Sequence, residues 1–234
     1  MTTSIVYLIP AFLDEEVTEV IPAYVLEAVR SCQVFFTENE RSARRYLKSL
    51  WKEMPINEFQ WYTIHKAEEE IQQEFLQALR ANKNIGIISE AGCPGVADPG
   101  QILVSRAQQE GARVKPLVGP SSILLALMAS GMNGQQFQFS GYLPIDQAER
   151  MKAIRELEKE SERKNLTQIF IETPYRNNQL LEILLKVCKP STRLCIAAKL
   201  TSKNESVITR SIEAWKKAPP ELHRQPAIFC LHAG

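Results

Sequence analysis

The stretch Ser89–Gly100, S-E-A-G-C-P-G-V-A-D-P-G, holds three glycines and two prolines within twelve residues. An apolar segment, Ile85–Ile88, precedes it, and a segment of helical character begins near Gln101. Because glycine permits positive φ, whereas proline fixes φ and removes a donor, neither a strand nor a helix can continue through the stretch. We expect a stiff loop at the carboxyl end of a strand, which is where ligands bind in open α/β sheets. A surface connection is the alternative, but a long loop stiffened by two prolines favours a functional one.

Apolar segments typical of buried strands alternate with segments of helical periodicity on both sides of this loop. The alternation predicts a parallel sheet covered by helices. The alternation of strands and helices begins again near Leu117–Val118, so we expect two domains, residues 1–117 and 118–234. The predicted strands are 4–9, 34–36, 59–64, 85–88, 113–117, 136–142, 167–172, 192–198, 207–212 and 227–231. The predicted helices are 22–32, 46–50, 65–81, 101–111, 123–130, 147–164, 178–187 and 213–217. In the second of these, Trp51 and Met54 are expected to extend the apolar face beyond Leu50.

The bulk composition excludes several classes of protein. With 28 basic and 27 acidic residues the formal net charge is +1, so no global attraction to nucleic acid is expected, although a local patch is compatible with it. Five cysteines without a C-x-x-C pair predict reduced thiols in a cytoplasmic protein, not a disulfide scaffold or a zinc knuckle. The three histidines are scattered, so we expect no metal site. We find no signal peptide and no apolar run of membrane-spanning length, and expect no membrane association.

The sequence lacks the motifs of several common chemistries. It contains no P-loop, no G-x-G-x-x-G and no G-x-S-x-G, which are the usual signals of phosphoryl transfer, dinucleotide binding and α/β-hydrolase chemistry. What remains is a set of loops at predicted strand ends, at 10–14, 38–41, 89–100, 119–122, 172–176 and 199–203. A cleft lined by backbone amides, two serine hydroxyls and a few charges suits a polar organic cofactor with an adenine and an amino-acid end.

Five blocks, in order along the chain, resemble the tetrapyrrole-methylase superfamily, and within it the branch of ribosomal RNA small-subunit methyltransferase I. Ser89–Gly100 is similar to the S-D-A-G-T-P-x-x-S-D-P-G loop of that branch. The other blocks are G-P-S-S at 119–122, S-G at 130–131, F-x-F-x-G-Y-L-P at 137–144 and I-F-I-E-T-P-Y-R at 169–176. The last of these resembles the branch's F-Y-E-S-P-H-R.

The resemblance implies a fold, a cofactor and an assembly. It implies two α/β domains, with a mainly parallel sheet in the first and a mixed sheet in the second, and S-adenosylmethionine in the cleft between them. It also implies a methyltransferase that works as a homodimer without a metal. The residues that it places beside the cofactor are Pro10, Cys93, Val96, Ala97, Ser121, Ser122, Ile171, Ala198 and Ala227.

Each of these residues also has a purely structural interpretation. Many relatives carry Asp at the position of Cys93, and a packed loop residue is favoured over a nucleophile because nothing nearby in sequence activates a thiolate. Ser121 or Ser122 can cap the following helix. The apolar residues at strand ends can equally belong to the core.

Methyl transfer to a ribose hydroxyl would benefit from a general base. The candidates lie at strand ends, and each is favoured more as an orienting or ion-pairing group than as the base. These candidates are Glu172, Glu38, Glu90 and Lys199. The arginines that could bind RNA phosphate, with ordinary surface charge as the alternative, are Arg41, Arg44, Arg45 and Arg176.

Departures from the pattern of the branch fall on the substrate side. Where the branch has T-P-I-G-N-L-x-D, this chain has I-P-A-F-L-D-E-E at 9–16. Where the branch has A-E-D-T-R, this chain has T-E-N-E-R at 37–41, and in place of R-E-L-T-K it has A-K-L-T-S-K at 198–203. The sequence also ends without the C-terminal extension common in the branch. Three functions stay open: methylation of ribosomal RNA, on a ribose 2′-oxygen; methylation of a tetrapyrrole-like small molecule or a protein residue; and cofactor binding without catalysis. Ribosomal RNA or the small ribosomal subunit is the partner expected for the first.

Overall fold

A computed structural model describes residues 4–64 and 71–234 of the chain. The chain divides into two compact units, Met1–Ser121 and Ser122–Gly234. The change of unit therefore falls between Ser121 and Ser122, a few residues after the predicted boundary at 117/118. Within the described residues, no helix is long and apolar enough to cross a membrane.

The first unit contains a five-stranded sheet whose strands, β1 to β5, are Ile5–Ile9, Val34–Thr37, Gln60–Thr63, Ile85–Ile88 and Arg113–Pro116. Their spatial order is β3-β2-β4-β1-β5, and each of these pairings is parallel. The parallel sheet predicted from the strand–helix alternation is thereby confirmed. Since parallel strands end at the same edge, this topology brings the loops after β1, β2, β4 and β5 to one side of the unit.

The helices of the first unit, α1 to α4, are Tyr24–Ser31, Glu40–Leu50, Gln72–Arg80 and Gln101–Gln109. Side chains alternate across β2, so that neighbouring phenylalanines enter different cores. Phe35 packs in the cluster that includes Val25 and Leu47, and Phe36 packs in the cluster that includes Phe75 and Leu103. Burial on both faces explains why β2 and β4 are continuously apolar in sequence.

The second unit contains strands β6 to β10, which are Phe137–Tyr142, Thr167–Ile171, Arg193–Ala198, Ser206–Ser211 and Ala227–His232. The order is β6-β7-β10-β8-β9. The β6–β7 pair is parallel, and the β7–β10, β10–β8 and β8–β9 pairs are antiparallel. The sheet is therefore mixed, as the resemblance implied.

The helices of the second unit, α5 to α8, are Ser122–Ser130, Gln147–Lys164, Asn177–Val187 and Ile212–Lys217. The core packs Phe170 of β7 against Phe229 of β10, with ring centroids 5.9 Å apart and nearly parallel planes. Leu180 and Leu184 of α7 and Trp215 of α8 belong to the same buried cluster. This cluster holds the carboxyl end of β7 in a fixed position.

Several elements differ from the predicted ones for clear local reasons. The described part of the helix predicted over 65–81 is α3, and residues 65–70 lie outside the described residues. Helix α2 ends at Leu50, so Trp51 and Met54 do not extend it; Met54 is instead buried beyond its end. The imperfect alternation of the strand predicted at 136–142 arises from a register irregularity between Phe139 and Tyr142.

Candidate functional site

The loop Ser89–Gly100 lies at the carboxyl end of β4 and contacts the loops that follow β1 and β5. The Ala11 N–H donates to the Gly92 carbonyl at 2.8 Å, and the Gly92 N–H donates back to the Ala11 carbonyl at 3.1 Å. The Cys93 thiol lies 3.5 Å from the carbonyl oxygen of Pro120. Three strand-end loops that are distant in sequence thus form one contiguous surface within the first unit.

Pro10 and Gly119 are in direct contact at this surface. A Cβ atom on Gly119 would lie 2.1 Å from Cβ of Pro10, which no side chain tolerates. The Tyr46 hydroxyl, on helix α2, donates a hydrogen bond to the Pro10 carbonyl. Pro10, which the sequence placed beside the cofactor, is buried and closely packed, so its described contacts fix the shape of the loops.

Val96 and Ala97 form the exposed part of the long loop. Val96 is 48% exposed, and Ala97 adopts a φ of 65°, which is strained for a residue with a Cβ. Backbone bonds maintain this geometry: the Gly95 N–H donates to the Pro99 carbonyl at 3.2 Å, and the Val96 N–H donates to the Cys93 carbonyl at 3.3 Å. The two residues that sequence placed beside a ligand are therefore accessible on a rigid loop.

The loop also brings Asp98 close to Glu38 and Glu90, a grouping that sequence reasoning missed. The Glu90 N–H donates to Oε2 of Glu38 at 3.1 Å. Partial burial, together with the negative charges of Glu38 and Glu90, raises the pKa of Asp98 to about 6, while a hydrogen bond with Ser89 opposes the shift. A carboxyl group with a pKa in this range can accept a proton near neutral pH. The available signal was the aspartate that Asp98 shares with the S-D-P-G block of the branch.

Cys93 has the surroundings of a packed thiol. Burial, with a smaller effect from the negative charge of Asp98, raises the pKa of the Cys93 thiol. A thiol of raised pKa is a poor nucleophile because the thiolate is the reactive form. This environment favours the packing interpretation over nucleophilic catalysis.

Three further candidates lie at one end of the sheet in the second unit. Ala227 pairs with Ala198, and the neighbouring Ile228 pairs with Ile171, so Ile171, Ala198 and Ala227 are brought together. Lys199 follows directly, with its N–H donating to the Pro226 carbonyl at 3.0 Å. The sequence placed these residues correctly at strand ends, and their register makes them neighbours.

Two of the predicted site loops, 89–100 and 199–203, contain strained backbone. Among the described residues other than glycine that have positive φ, Asn82 and Asn165 end helices, where asparagine is common. Of the others, three lie in the predicted loops 89–100 and 199–203, namely Ala97, Lys199 and Thr201, whereas Arg224 lies in the segment between α8 and β10. Strained backbone of this kind persists only where surrounding contacts enforce it, and it is enriched at functional sites.

Glu172, a candidate base, is buried in an ion-pair network. Its Oε1 lies 2.6 Å from Nη2 of Arg176, and its Oε2 lies 3.1 Å from Nη2 of Arg150, without hydrogen-bond alignment at Oε2. Its Oε1 also accepts the Thr173 N–H at 2.7 Å, and Arg150 Nε donates to the Pro144 carbonyl at 2.7 Å. With two guanidinium groups on one carboxylate, the geometry favours the orienting role over that of a base.

The arginines considered for phosphate binding differ in their partners. Arg176 holds the buried carboxylate, and Arg44 pairs with Glu40 at 2.6 Å while lying over the Trp61 ring. Arg45 forms an exposed ion pair at the surface, whereas the exposed Arg41 lies in the first turn of α2. Of these, Arg176 is fixed in place most firmly.

Ser121 and Ser122 stand at the change of unit. Ser121 is the last residue of the first unit, Ser122 is the first residue of α5, and both are half-buried.

Within residues 4–64 and 71–234, no group of three or more His, Cys, Asp or Glu side chains could hold a metal ion.

A family model described as Tetrapyrrole (Corrin/Porphyrin) Methylases matches residues 18–215, which is most of the chain. The chain belongs to this family. Among curated proteins it is similar to ribosomal RNA small subunit methyltransferase I of Vibrio cholerae, with 34% identity over 140 residues, covering 60% of this chain and 47% of that protein. The enzyme of the same name from Bacillus subtilis is 27% identical over 208 residues, covering 89% of this chain and 68% of that protein. The chain spans about half the length of the first of these relatives.

Solved structures of tetrapyrrole methyltransferases share the fold. The methyltransferase CobJ matches with a TM-score of 0.64 and 16% identity, covering 98% of this chain and 93% of that chain. Uroporphyrin-III C-methyltransferase from Thermus thermophilus, complexed with S-adenosylhomocysteine, matches with a TM-score of 0.56 and 19% identity. The match covers 97% of this chain and 96% of that chain. The tetrapyrrole-methylase fold implied by the sequence blocks is confirmed.

Proposed function

We propose that the protein is an S-adenosylmethionine-dependent methyltransferase that acts on ribosomal RNA of the small subunit. The observation that carries the proposal is the convergence, in a tetrapyrrole methylase, of the long Gly/Pro loop with the loops after β1 and β5. Backbone amides and small side chains at a strand edge suit an adenosine and its amino-acid tail. A family structure complexed with S-adenosylhomocysteine, the demethylated product of that cofactor, supports the same ligand.

The proposed cofactor contacts are those expected from sequence. In the first unit, the accessible Val96–Ala97 backbone and the side of Cys93 would bind the ligand, while Pro10 shapes the loops. In the second unit, the edge formed by Ile171, Ala198 and Ala227 would do so. Ser121 and Ser122 would contribute their hydroxyl groups. When bound, the cofactor supplies an electrophilic methyl group, and the role of the chain is to hold the acceptor oxygen in line with it.

Proton removal from a ribose hydroxyl is the step for which the chain must provide a group. Asp98 suits this step because its pKa of about 6 leaves it ionised near neutral pH yet basic enough to accept a proton. Burial of Asp98 and, after it, the negative charges of Glu38 and Glu90 would raise that pKa. Glu172 and Lys199, also considered, would instead fix the loops on which they lie.

The RNA substrate is supported by the curated relatives, which are named ribosomal RNA small subunit methyltransferase I. Methylation of a tetrapyrrole-like molecule or of a protein residue, and cofactor binding without catalysis, are the competing outcomes. We also propose a homodimer in the cytoplasm. The dimer is supported by the exposed apolar side chains Leu124 and Met128 on α5, and the location by the five free cysteines.

The test is transfer of labelled methyl groups from S-adenosylmethionine to isolated small ribosomal subunits, bulk RNA and a small-molecule extract. We expect label in the RNA of the small subunit, in nucleotides resistant to alkaline cleavage because their 2′-oxygen is methylated. Label confined to small molecules or to protein would contradict the RNA substrate but not the cofactor. Absence of both transfer and cofactor binding would contradict the whole proposal.

A further inference from the structure

The turn after β7 presents an aromatic ring to solvent on a firmly held backbone. Tyr175 is 68% exposed, a large value for an aromatic side chain in an ordered turn. The turn is closed by the Arg176 N–H, which donates to the Thr173 carbonyl at 2.9 Å, and by Glu172, which accepts the Thr173 N–H. Because the carboxylate of Glu172 is itself held by the buried Arg150 and the partly buried Arg176, the Tyr175 ring projects from a rigid support.

A second segment, residues 221–225, is attached to this turn and adds positive charge. The Arg224 N–H donates to the Pro174 carbonyl at 3.0 Å, with Arg224 in the left-handed region at φ 56°. The Arg224 guanidinium lies 5.8 Å from the Tyr175 ring centroid, and the His223 ring meets it edge-on with centroids 6.4 Å apart. Strain at a non-glycine residue, kept by a specific hydrogen bond, indicates that the position of Arg224 matters.

Three arginines and two carboxylates near this turn leave one positive charge in excess, and Arg224 is the guanidinium that lies at the ring. Arg150 and Arg176 share the single carboxylate of Glu172, and Arg224 adds a further exposed guanidinium. The nearby carboxylate of Glu221 accepts hydrogen bonds from the Asn178 side chain and the His223 N–H, which occupy one of its oxygens and lower its pKa. An exposed aromatic ring beside guanidinium groups is the chemistry with which proteins bind unstacked nucleotides.

We propose that Tyr175 and Arg224 bind a single-stranded segment of RNA, with a nucleobase stacked on the Tyr175 ring and a neighbouring phosphate on the Arg224 guanidinium. The inference rests on the proposed function, since it names a contact for the RNA substrate. Stacking on tyrosine is tolerant of base identity, so this contact supplies affinity and position, not sequence selection. The position that carries histidine in the F-Y-E-S-P-H-R block of the RNA-modifying branch is tyrosine here, which retains a flat ring.

The test measures binding of a fluorescent oligouridine to the full chain at several salt concentrations. Tyr175→Ala should weaken binding about tenfold at every salt concentration, whereas Tyr175→Phe, which keeps the ring, should bind as the wild type does. Arg224→Gln should weaken binding and reduce the slope of log affinity against log salt by about 0.7, the value for one phosphate contact on a single strand. Tyr142→Ala and Arg163→Gln, matched changes at other exposed positions of the second unit, should leave affinity and slope unchanged.

Thermal unfolding and titration with S-adenosylmethionine check that each variant is folded. If the wild type binds oligouridine and Tyr175→Ala binds equally well, the inference is wrong while the proposed function stands. If polyglutamate competes as effectively as RNA, the surface recognises charge alone and the stacking contact is wrong. If the wild type binds no RNA but binds the cofactor, both the inference and the RNA substrate are wrong, and the methyltransferase assignment remains.

Discussion

The loops Ser89–Gly100 and Glu172–Arg176 lie at strand ends in different units, and they are held in shape by different means. The first relies on backbone geometry: three glycines with positive φ, two prolines, and backbone hydrogen bonds to Ala11. The second relies on charge, through one buried carboxylate between two arginines. A rigid loop can therefore be encoded locally by residue type or non-locally by a buried ionic partner. Only the loop that is encoded locally by residue type can be predicted from the sequence.

The two kinds of loop should respond to mutation differently. A buried ion pair leaves an uncompensated charge when one partner is removed, which costs more than most packing defects. A glycine replaced at a point of close approach displaces backbone, and the cost depends on how far the neighbours can yield.

Removing the carboxylate of Glu172 should have the largest effect. Glu172→Ala leaves Arg150 buried and unpaired, since the two side chains are 1% and 3% exposed. We expect a loss of about 3–5 kcal/mol in the free energy of unfolding. Denaturant unfolding measures it, followed by tryptophan fluorescence, to which Trp215 in the core of the second unit contributes.

The matched control is Glu213→Ala, which removes an exposed carboxylate paired with Lys217. An exposed pair of this kind contributes at most about 0.5 kcal/mol. Equal effects of Glu172→Ala and Glu213→Ala would show that the buried network does not hold the second loop.

Gly119→Ala should damage the first unit by forcing Cβ against Pro10. We expect a loss of about 1–3 kcal/mol in unfolding free energy, typical of overpacking. Because the loops around Gly119 carry the proposed cofactor contacts, affinity for S-adenosylmethionine should fall as well. Gly134→Ala, where an added Cβ meets nothing within 4 Å, is the control. If both variants unfold and bind S-adenosylmethionine as the wild type does, the close contact between Gly119 and Pro10 does not shape these loops.

Asp98 should make stability depend on pH in a defined direction. Its pKa is raised from 3.8 to about 6 in the folded state, so between these values the folded protein binds more protons than the unfolded chain. The contribution of Asp98 to stability therefore falls as pH rises through this window, and ionised Asp98 is unfavourable above it. Asp98→Asn should raise the melting temperature relative to the wild type at about pH 8 and lose that advantage near pH 4. An advantage independent of pH would contradict the assigned shift.

Substitution of Cys93 should have the smallest effect of these changes, on methyl transfer. Since burial and Asp98 raise the pKa of its thiol, alkylation by iodoacetamide at neutral pH should be slower than that of a free thiol. Cys93→Ala should retain methyl transfer within about twofold of the wild type, as expected for a packed residue that is not a nucleophile. Rapid alkylation together with loss of activity would reverse the interpretation of this residue.

Much of the fold could be predicted because strands and helices are encoded by local periodicity. The β4 strand was predicted with its observed bounds, and α4 begins at Gln101 as predicted. The helix itself ends at Gln109, two residues before Gly111, whose φ of 68° fits the predicted glycine after the helix end. The irregularity in β6 was visible only as a defect in alternation, since a shift of register depends on the partner strand.

The candidate site was predictable only in part. The loop 89–100 and the strand-end positions of Ile171, Ala198 and Ala227 follow from composition and pattern. Asp98 was missed because its pKa depends on its burial and on Glu38, a residue brought close by the order of the strands. The structural role of Glu172 was hidden for the same reason, since Arg150 lies on helix α6 and Glu172 lies in the loop after β7. Interactions between elements distant in sequence cannot be read from local spacing.

The central claim is that the strand-end loops of this chain form a site for S-adenosylmethionine. A calorimetric titration of the full chain with S-adenosylmethionine tests it most directly, with S-adenosylhomocysteine as the competitor and adenosine as the control ligand. We predict saturable binding at one site per chain, displaced by S-adenosylhomocysteine and weakened in Gly119→Ala but not in Gly134→Ala. Absence of saturable heat, or equal binding by the two glycine variants, would contradict the site.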